Sequence, residues 1–334
     1  MRRLQLGLGL LVSALFLWLA LGSLDLTRMG EALQSARYGW LVPAVLTYFI
    51  TVGARAWRWT YLLRPLRVVR AGHLFPVVVI GYLGNNIYPF RVGEVLRAYL
   101  LRRREGVSMG GSLATILVER VFDGLAVLTI VFVALLLAPP AGATLGALLV
   151  LASVIFFGAL AFSLILATRP RLAIRLIDYA LRLLPGALRP RLAGFGQRFL
   201  SGLAALRDWR TVLTLFFSSL LIWLVETAKY WLVMQAFPFS VSWPALMLTN
   251  GVVNLVTVIP SAPGYVGTFD APAIAMLALY GVPQALAGAY TLVLHATLWL
   301  PSTLVGFVYM MREGLSWSDF GRAAQAEAAT PPAP

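Results

Sequence analysis

The chain reads as an all-α polytopic membrane protein, an inverted-topology repeat with two re-entrant broken-helix hairpins, and three observations predict it. The first is composition: 60% of the 334 residues are hydrophobic and 12% are charged, with a mean hydropathy of +0.83, which excludes an ordinary soluble domain. The second is a pair of proline–glycine breaks inside apolar stretches, Pro89-Phe90-Arg91-Val92-Gly93-Glu94 and Pro260-Ser261-Ala262-Pro263-Gly264-Tyr265-Val266-Gly267-Thr268-Phe269-Asp270. Backbone freed at membrane depth is tolerated only where it lines a cavity or is covered by protein, so paired breaks in corresponding halves point to a transport site near the midplane. The third is the placement of arginines, which sets the side of each loop.

The same numbers exclude other classes. A net charge of +14 suits nucleic acid in principle, but no basic stripe with interleaved aromatics lies on a polar domain, so no nucleic-acid partner is expected. With no cysteine and two histidines, His73 and His295, no disulfide framework, thiolate nucleophile or metal site is expected, and no cofactor.

Residues 1–39 hold the first span and an external loop. Leu4 to Leu21 follows Met1-Arg2-Arg3 and, at about 18 residues, is long for a signal sequence and close to the length that crosses a bilayer. It reads as a retained helix starting in the cytoplasm, with a loop of mixed charge beyond it, Asp25, Arg28, Glu31 and Arg37.

Residues 40–138 form the first repeat. Trp40 to Leu63 returns the chain inside, where Arg64, Arg67 and Arg70 lie. Leu74 to Tyr88 is about 15 residues, or roughly 22 Å of helix, short of the hydrocarbon core. Were it a full span, Arg91, Arg97, Arg102, Arg103 and Arg104 would lie outside, against the positive-inside tendency. A re-entrant hairpin over 74–104, entered from the cytoplasm and turning at Pro89, satisfies both length and charge. Ser112 to Leu137 then crosses outward.

Residues 139–210 link the repeats. Pro139-Pro140 makes an external turn and Ala143 to Ala167 crosses back. Over 169–210, arginines 171, 175 and 182 share one helical face and leucines the other, which reads equally as a helix on anionic lipids of the cytoplasmic leaflet or one packed on protein. Residues 211–315 form the second repeat: Thr211 to Phe237 crosses outward, 245–280 is a hairpin entered from outside, and Gln284 to Met311 returns the chain to the cytoplasm. Residues 316–334 read as a disordered cytoplasmic tail. Both termini are thus expected inside a multi-pass protein of the inner (cytoplasmic) membrane.

Side chains support the repeat. Arg55 and Arg58 sit three apart in the first helix of one unit, and Glu226 and Lys229 three apart in the first helix of the other, an offset of 171. Pro89 and Pro263 are 174 apart and Glu119 and His295 are 176 apart. A nearly constant offset across three elements argues for duplication with inversion.

Ionisable residues within spans are costly, which makes function their default reading. Three clusters stand out. Asn85, Asn86, Arg91, Glu94 and Arg97 surround the first break, where a half-helix start offers free N–H groups to a phosphate or carboxylate and Arg91 offers a bidentate clamp, or else a structural pair with Glu94. Glu119, Arg120 and Asp123 begin a span, the two acids sharing a face and Arg120 pointing aside; they are expected to receive Arg55 or Arg58 in a buried network, or Arg58 snorkels to the interface. Asn254, Pro260, Pro263, Gly264, Gly267 and Asp270 surround the second break, with Glu226, Lys229 and His295 as neighbours; Asp270 either caps the half-helix or meets a cationic head group or a proton.

The ordered set Asn86-x-x-Pro89-x-Arg91-x-Gly93-Glu94-x-x-Arg97, Glu119-Arg120-Val121-x-Asp123 and Pro260-x-x-Pro263-Gly264-x-x-Gly267-x-x-Asp270 resembles the flippase-like membrane family that includes the lipid-translocating domain of bacterial lysylphosphatidylglycerol synthases. The resemblance covers residues 5 to 315. It implies movement of lipids with charged head groups, aminoacylated phosphatidylglycerol being the best-known. Two positions depart from the pattern, Tyr265 where the family usually has a second glycine and Asp270 where it commonly has glutamate. No soluble domain follows Met311, so aminoacyl transfer is not expected of this chain. The lipid is then a phospholipid or a polyprenyl-phosphate-linked lipid, with a separate lipid-modifying enzyme as a candidate partner. The expected function is a non-enzymatic lipid translocase. The alternative is a membrane-embedded transferase using a lipid-linked donor, with Asp25 and Glu31 as its base and metal ligand.

Overall fold

A computed structural model describes residues 11–16, 18, 25–88, 91–139, 151, 154–155, 158, 208–259 and 261–316. Most of the expected first span and return span, the basic segment up to residue 207 and the tail beyond 316 lie outside the described residues, as do Pro89 and Pro260. Among the described residues the fold is all-helical.

Helix α1, Leu26–Ser35, begins at Asp25, whose carboxylate accepts the Thr27 and Arg28 N–H groups, 3.0 and 3.1 Å. The expected external loop is therefore largely an amphipathic helix, because the cap satisfies its first donors. Helix α2 spans Leu41–Leu63 behind a short 3₁₀ turn. Helices α3, Ala71–Ile87, and α4, Val92–Glu105, flank the first break. Helix α5, Met109–Leu137, starts at the Ser108 cap. Helix α6, Trp209–Met234, starts at Asp208, whose carboxyl is held below its usual range by the Thr211 hydroxyl and by backbone donors. Helices α7, Trp243–Val256, and α8, Asp270–Leu279, flank the second break, and α9, Gln284–Arg312, closes the described chain.

Two length classes follow. Among the described residues four helical segments are long and apolar enough to cross a membrane: Tyr38–Leu63, Met109–Leu137, Trp209–Met234 and Gln284–Arg312. The helices beside the breaks have 17, 14, 14 and 10 residues, or about 26, 21, 21 and 15 Å, all below the roughly 30 Å core. The long helices carry exposed apolar stripes at helical spacing, such as Val42, Leu46 and Ile50 on α2 and Leu213, Phe217 and Leu221 on α6. Such stripes suit lipid contact.

The apolar interior falls into clusters that draw on both halves. One cluster joins α2, α3 and α4 with the start of α5 and also takes in Leu215 of α6 and Met310 of α9; a second joins α6 to α9 and takes in Ala44 of α2. A third fills the α5–α6–α7 interface. Helix α2 packs on α6, and α9 packs on α3, so each half is sealed by the other.

Candidate functional site

The first break is an antiparallel pair closed by glycine. At the outer end His73 of α3 meets Glu105 of α4 at 3.2 Å. At the inner end the Gly93 N–H donates to Asn85 Oδ1 at 2.9 Å. A β-carbon at Gly84 would stand 2.8 Å from the Gly93 Cα, and one at Gly93 would strike the Gly81 carbonyl, so backbone touches backbone as small residues permit. Arg91 stands at the apex in the left-handed region, φ 52° and ψ 38°, which a non-glycine residue adopts only where its surroundings enforce it. Its guanidinium reaches Glu94 at 3.5 Å.

The second break is held by side chains. Gly264, Tyr265 and Gly267 all have positive φ, 74°, 61° and 85°. For Tyr265, which stands where the family pattern carries glycine, that conformation costs about 1–2 kcal/mol. Asp270 Oδ2 accepts the Gly267 N–H at 2.8 Å, and Oδ1 lies 2.8 Å from His295 Nδ1. His295 Nε2 lies 2.7 Å from the Gly264 carbonyl oxygen. Asp270 is thus the first residue of α8 rather than its cap. The Pro263–Tyr265 turn packs on α3, and a β-carbon at Gly264 would meet Trp299 Nε1 at 2.8 Å and the Asn86 carbonyl at 3.7 Å. Asn86 itself donates to Ser302 and Thr303 of α9, at 3.0 and 2.9 Å. The two breaks meet.

Between them runs one network of charges. Lys229 pairs with Glu226, whose Oε1 lies 3.3 Å from Arg55. Arg55 reaches Asp123 at 3.1 Å and Arg58 reaches the same carboxylate at 2.7 Å. Arg58 continues to Glu119 at 3.5 Å, and Glu119 holds Arg97 through two bonds of 2.9 and 3.3 Å. Arg120 joins Glu119, Asp123 and Glu94, at 3.2, 3.6 and 3.3 Å. Two expectations are corrected here. Arg120 does not point aside, because Glu94 across the α4–α5 interface draws it back over its own helix. Arg58 does not snorkel: it is 0% exposed, since Asp123 and the Ser219 hydroxyl bond one end of its guanidinium and Glu119 pairs with the other inside the packing. The network contains six cations and four carboxylates. Aromatic faces carry part of the excess, with Arg97 4.1 Å over Trp59 and Lys229 4.4 Å over Tyr48.

A cavity of about 200 Å³ opens where network and breaks converge. Of the residues singled out from sequence, Arg55, Asn85, Asn86, Arg91, Arg120, Glu226, Lys229, Asn254, Gly264 and His295 line it. Glu94, Glu119, Asp123 and Asp270 stand one bond behind that lining, while Arg58 and Arg97 are buried deeper. Gly93 and Gly267 act through backbone; Pro263 opens the apical turn. Sequence reasoning missed Tyr48, Tyr82, Trp223, Tyr265 as a lining group and Trp299. Aromatics in apolar spans carry no signal that separates cavity from core. Among the described residues no group of His, Asp or Glu has a metal-holding arrangement.

The chain matches the model of the lysylphosphatidylglycerol synthase transmembrane region over residues 7–306. It is similar to a UPF0104 membrane protein of Methanothermobacter thermautotrophicus, 26% identical over 85% of each chain, and to one of Methanocaldococcus jannaschii, 21% identical over 90% of this chain and 93% of the relative. It is also similar to the glycosyltransferase AglD of Haloferax volcanii, 27% identical over 88% of this chain and 52% of that protein. No solved structure matches it.

Proposed function

Because the chain belongs to the family of the lysylphosphatidylglycerol synthase transmembrane region, we propose that it is a lipid translocase of the inner (cytoplasmic) membrane that moves a lipid with a charged head group between leaflets. One observation carries this reading: two broken-helix apices, one from each half, enclose a cavity whose lining includes Arg55, Arg91, Arg120 and Lys229. A network with more cations than carboxylates holds an anionic group at less desolvation cost than a cationic one. The phosphate of a phospholipid or polyprenyl-phosphate lipid meets Arg91 and Arg120, the two network cations with partly exposed side chains, 33% and 25%.

In this reading the short helix pairs are re-entrant hairpins, entered from opposite sides, and the halves are an inverted repeat. Their lengths support it, as does the direct bond between Arg55 and Glu226, equivalent positions 171 residues apart. Residues on a pseudo-two-fold axis meet their own counterparts. Both termini lie in the cytoplasm, where the basic segment meets anionic lipids and a separate lipid-modifying enzyme supplies or consumes the lipid. Alternating access follows from rocking one hairpin against the other.

The test is native mass spectrometry of lipids retained by the protein purified from its own membranes, beside Arg91→Ala. A single lipid class lost in the variant supports the reading and names the substrate. Only bulk phospholipid, retained equally by both, overturns it.

The similarity to AglD favours a second reading, a transferase using a lipid-linked donor. Its carboxylates were expected to be Asp25 and Glu31. Asp25, however, spends both oxygens on the α1 cap and Arg28, so the translocase reading is better supported. Chelator-sensitive transfer activity abolished by Asp25→Asn is the result that reverses this preference.

A further inference from the structure

The hydrogen bonds around His295 require a proton that the rest of the site does not. Its Nε2 faces a carbonyl oxygen, which only accepts, so Nε2 carries hydrogen. Its Nδ1 faces a carboxylate whose other oxygen already accepts the Gly267 N–H. The remaining contact therefore also needs a hydrogen, on Nδ1 or on Asp270 Oδ1. Histidine and aspartate together hold two protons, one more than a neutral imidazole beside an ionised carboxylate. Both side chains are 15% exposed, and His295 borders the cavity, so that proton has a route to water.

The geometry points to a proton-binding site at Asp270 and His295 that clasps the second break when loaded and releases it when empty. This rests on the translocase reading for its purpose, not for its chemistry. When the proton leaves to water in the cavity, one N–H remains for two acceptors. It stays on Nδ1, where the carboxylate makes the stronger, charge-assisted bond. Nε2 becomes an acceptor facing an acceptor, and the Gly264 carbonyl loses its donor. Gly264 and Tyr265, both at positive φ, then lose the bond that ties their turn to α9. A loaded site holds the apex shut against α3; an empty one lets it move.

The charged neighbours do not substitute for this proton. Arg55, Glu226 and Lys229, from α2 and α6, are bonded among themselves. Arg91 and Arg120 engage Glu94. Tyr48, Tyr82 and Tyr265 complete the ionisable lining, and α7 brings no ionisable side chain. Among the described residues none of these has a hydrogen bond or ion pair to the dyad. The Phe269 ring, 4.6 Å from the imidazole, covers it without competing.

The chain has no cysteine, so a single Ser261→Cys, at a side chain 6% exposed beside the apex, reports opening by its reaction with a water-soluble methanethiosulfonate. Asp270→Asn keeps both bonds without a dissociable proton: the amide oxygen accepts from Gly267 and the amide nitrogen donates to Nδ1. His295→Ala leaves the Gly264 carbonyl without that donor at every pH. Because the thiolate is the reacting form and its fraction itself rises with pH, labelling is expressed at each pH relative to that of a cysteine at the exposed Ser35; from about pH 5 to about pH 9 this relative labelling should rise by up to about tenfold per pH unit within the titrating range, as one proton dictates. It should stay low at every pH in Asp270→Asn and high at every pH in His295→Ala, with all three proteins monodisperse. Labelling independent of pH in the parent, or equally pH-dependent in Asp270→Asn, overturns the proton site. Lipid retention measured on the same preparations separates the two ideas: intact retention with flat labelling sinks the proton site alone, and pH-gated labelling without a retained lipid class supports the site while sinking the transport reading.

Discussion

Arg58 is a buried guanidinium with no route to water, and its carboxylate partners are buried with it. Removing one member of such a group leaves the others uncompensated. Arg58→Ala should therefore lower stability by about 3–5 kcal/mol, read as a fall in the detergent-solubilised melting temperature. Arg91→Ala, which removes a side chain one-third exposed and paired with Glu94, should change stability by less than about 1 kcal/mol while removing retained lipid. Equal melting losses for the two would show that the network is not graded by depth. The sequence identified both arginines, Glu119, Asp123 and Glu226, because charge in an apolar span is visible anywhere. It did not assign Arg97 to Glu119 or Arg120 to Glu94, since α4 and α5 are set side by side by packing rather than by spacing along one helix.

Glycine decides the first helix pair. Gly81, Gly84 and Gly93 have no room for a β-carbon, and Gly93 also donates to Asn85. Gly93→Ala should force α3 and α4 apart at a cost of about 1–3 kcal/mol and weaken Arg91-dependent lipid retention with it. Gly30, in α1 with open space around it, offers the contrast: Gly30→Ala should leave retention unchanged and raise stability by about 0.5–1 kcal/mol. Thermal unfolding of both variants checks the pair of signs. The expected boundaries of the helices beside the breaks hold to within a few residues, because apolar length and proline punctuation are local. Helix α1 was not visible as a helix: its 10 residues are too few for the apolar period to stand out, and the Asp25 cap takes effect only once the chain turns into it.

Across the whole molecule, sidedness is the claim with most reach. Arg70, before α3, and Arg103, in the last turn of α4, lie at the same end of their pair, as the His73–Glu105 contact requires. Cysteines placed at Arg70 and Arg103 in this cysteine-free chain should label from the cytoplasmic side, and one at Ser35 from the opposite side. Labelling of positions 70 and 103 from opposite sides would make α3 a full span and remove the hairpin. Composition and the two breaks were sufficient to read an all-helical membrane protein, since hydropathy and proline act locally on how a segment meets lipid, and the family followed from the resemblance of the ordered motifs. Where the breaks meet, which arginine holds which carboxylate, and that His295 ties Asp270 to the Gly264 carbonyl were decided by tertiary structure alone. Those contacts join residues as far apart as Asn86 and Ser302, and only the packing of α9 on α3 brings such distant donors and acceptors within bonding reach.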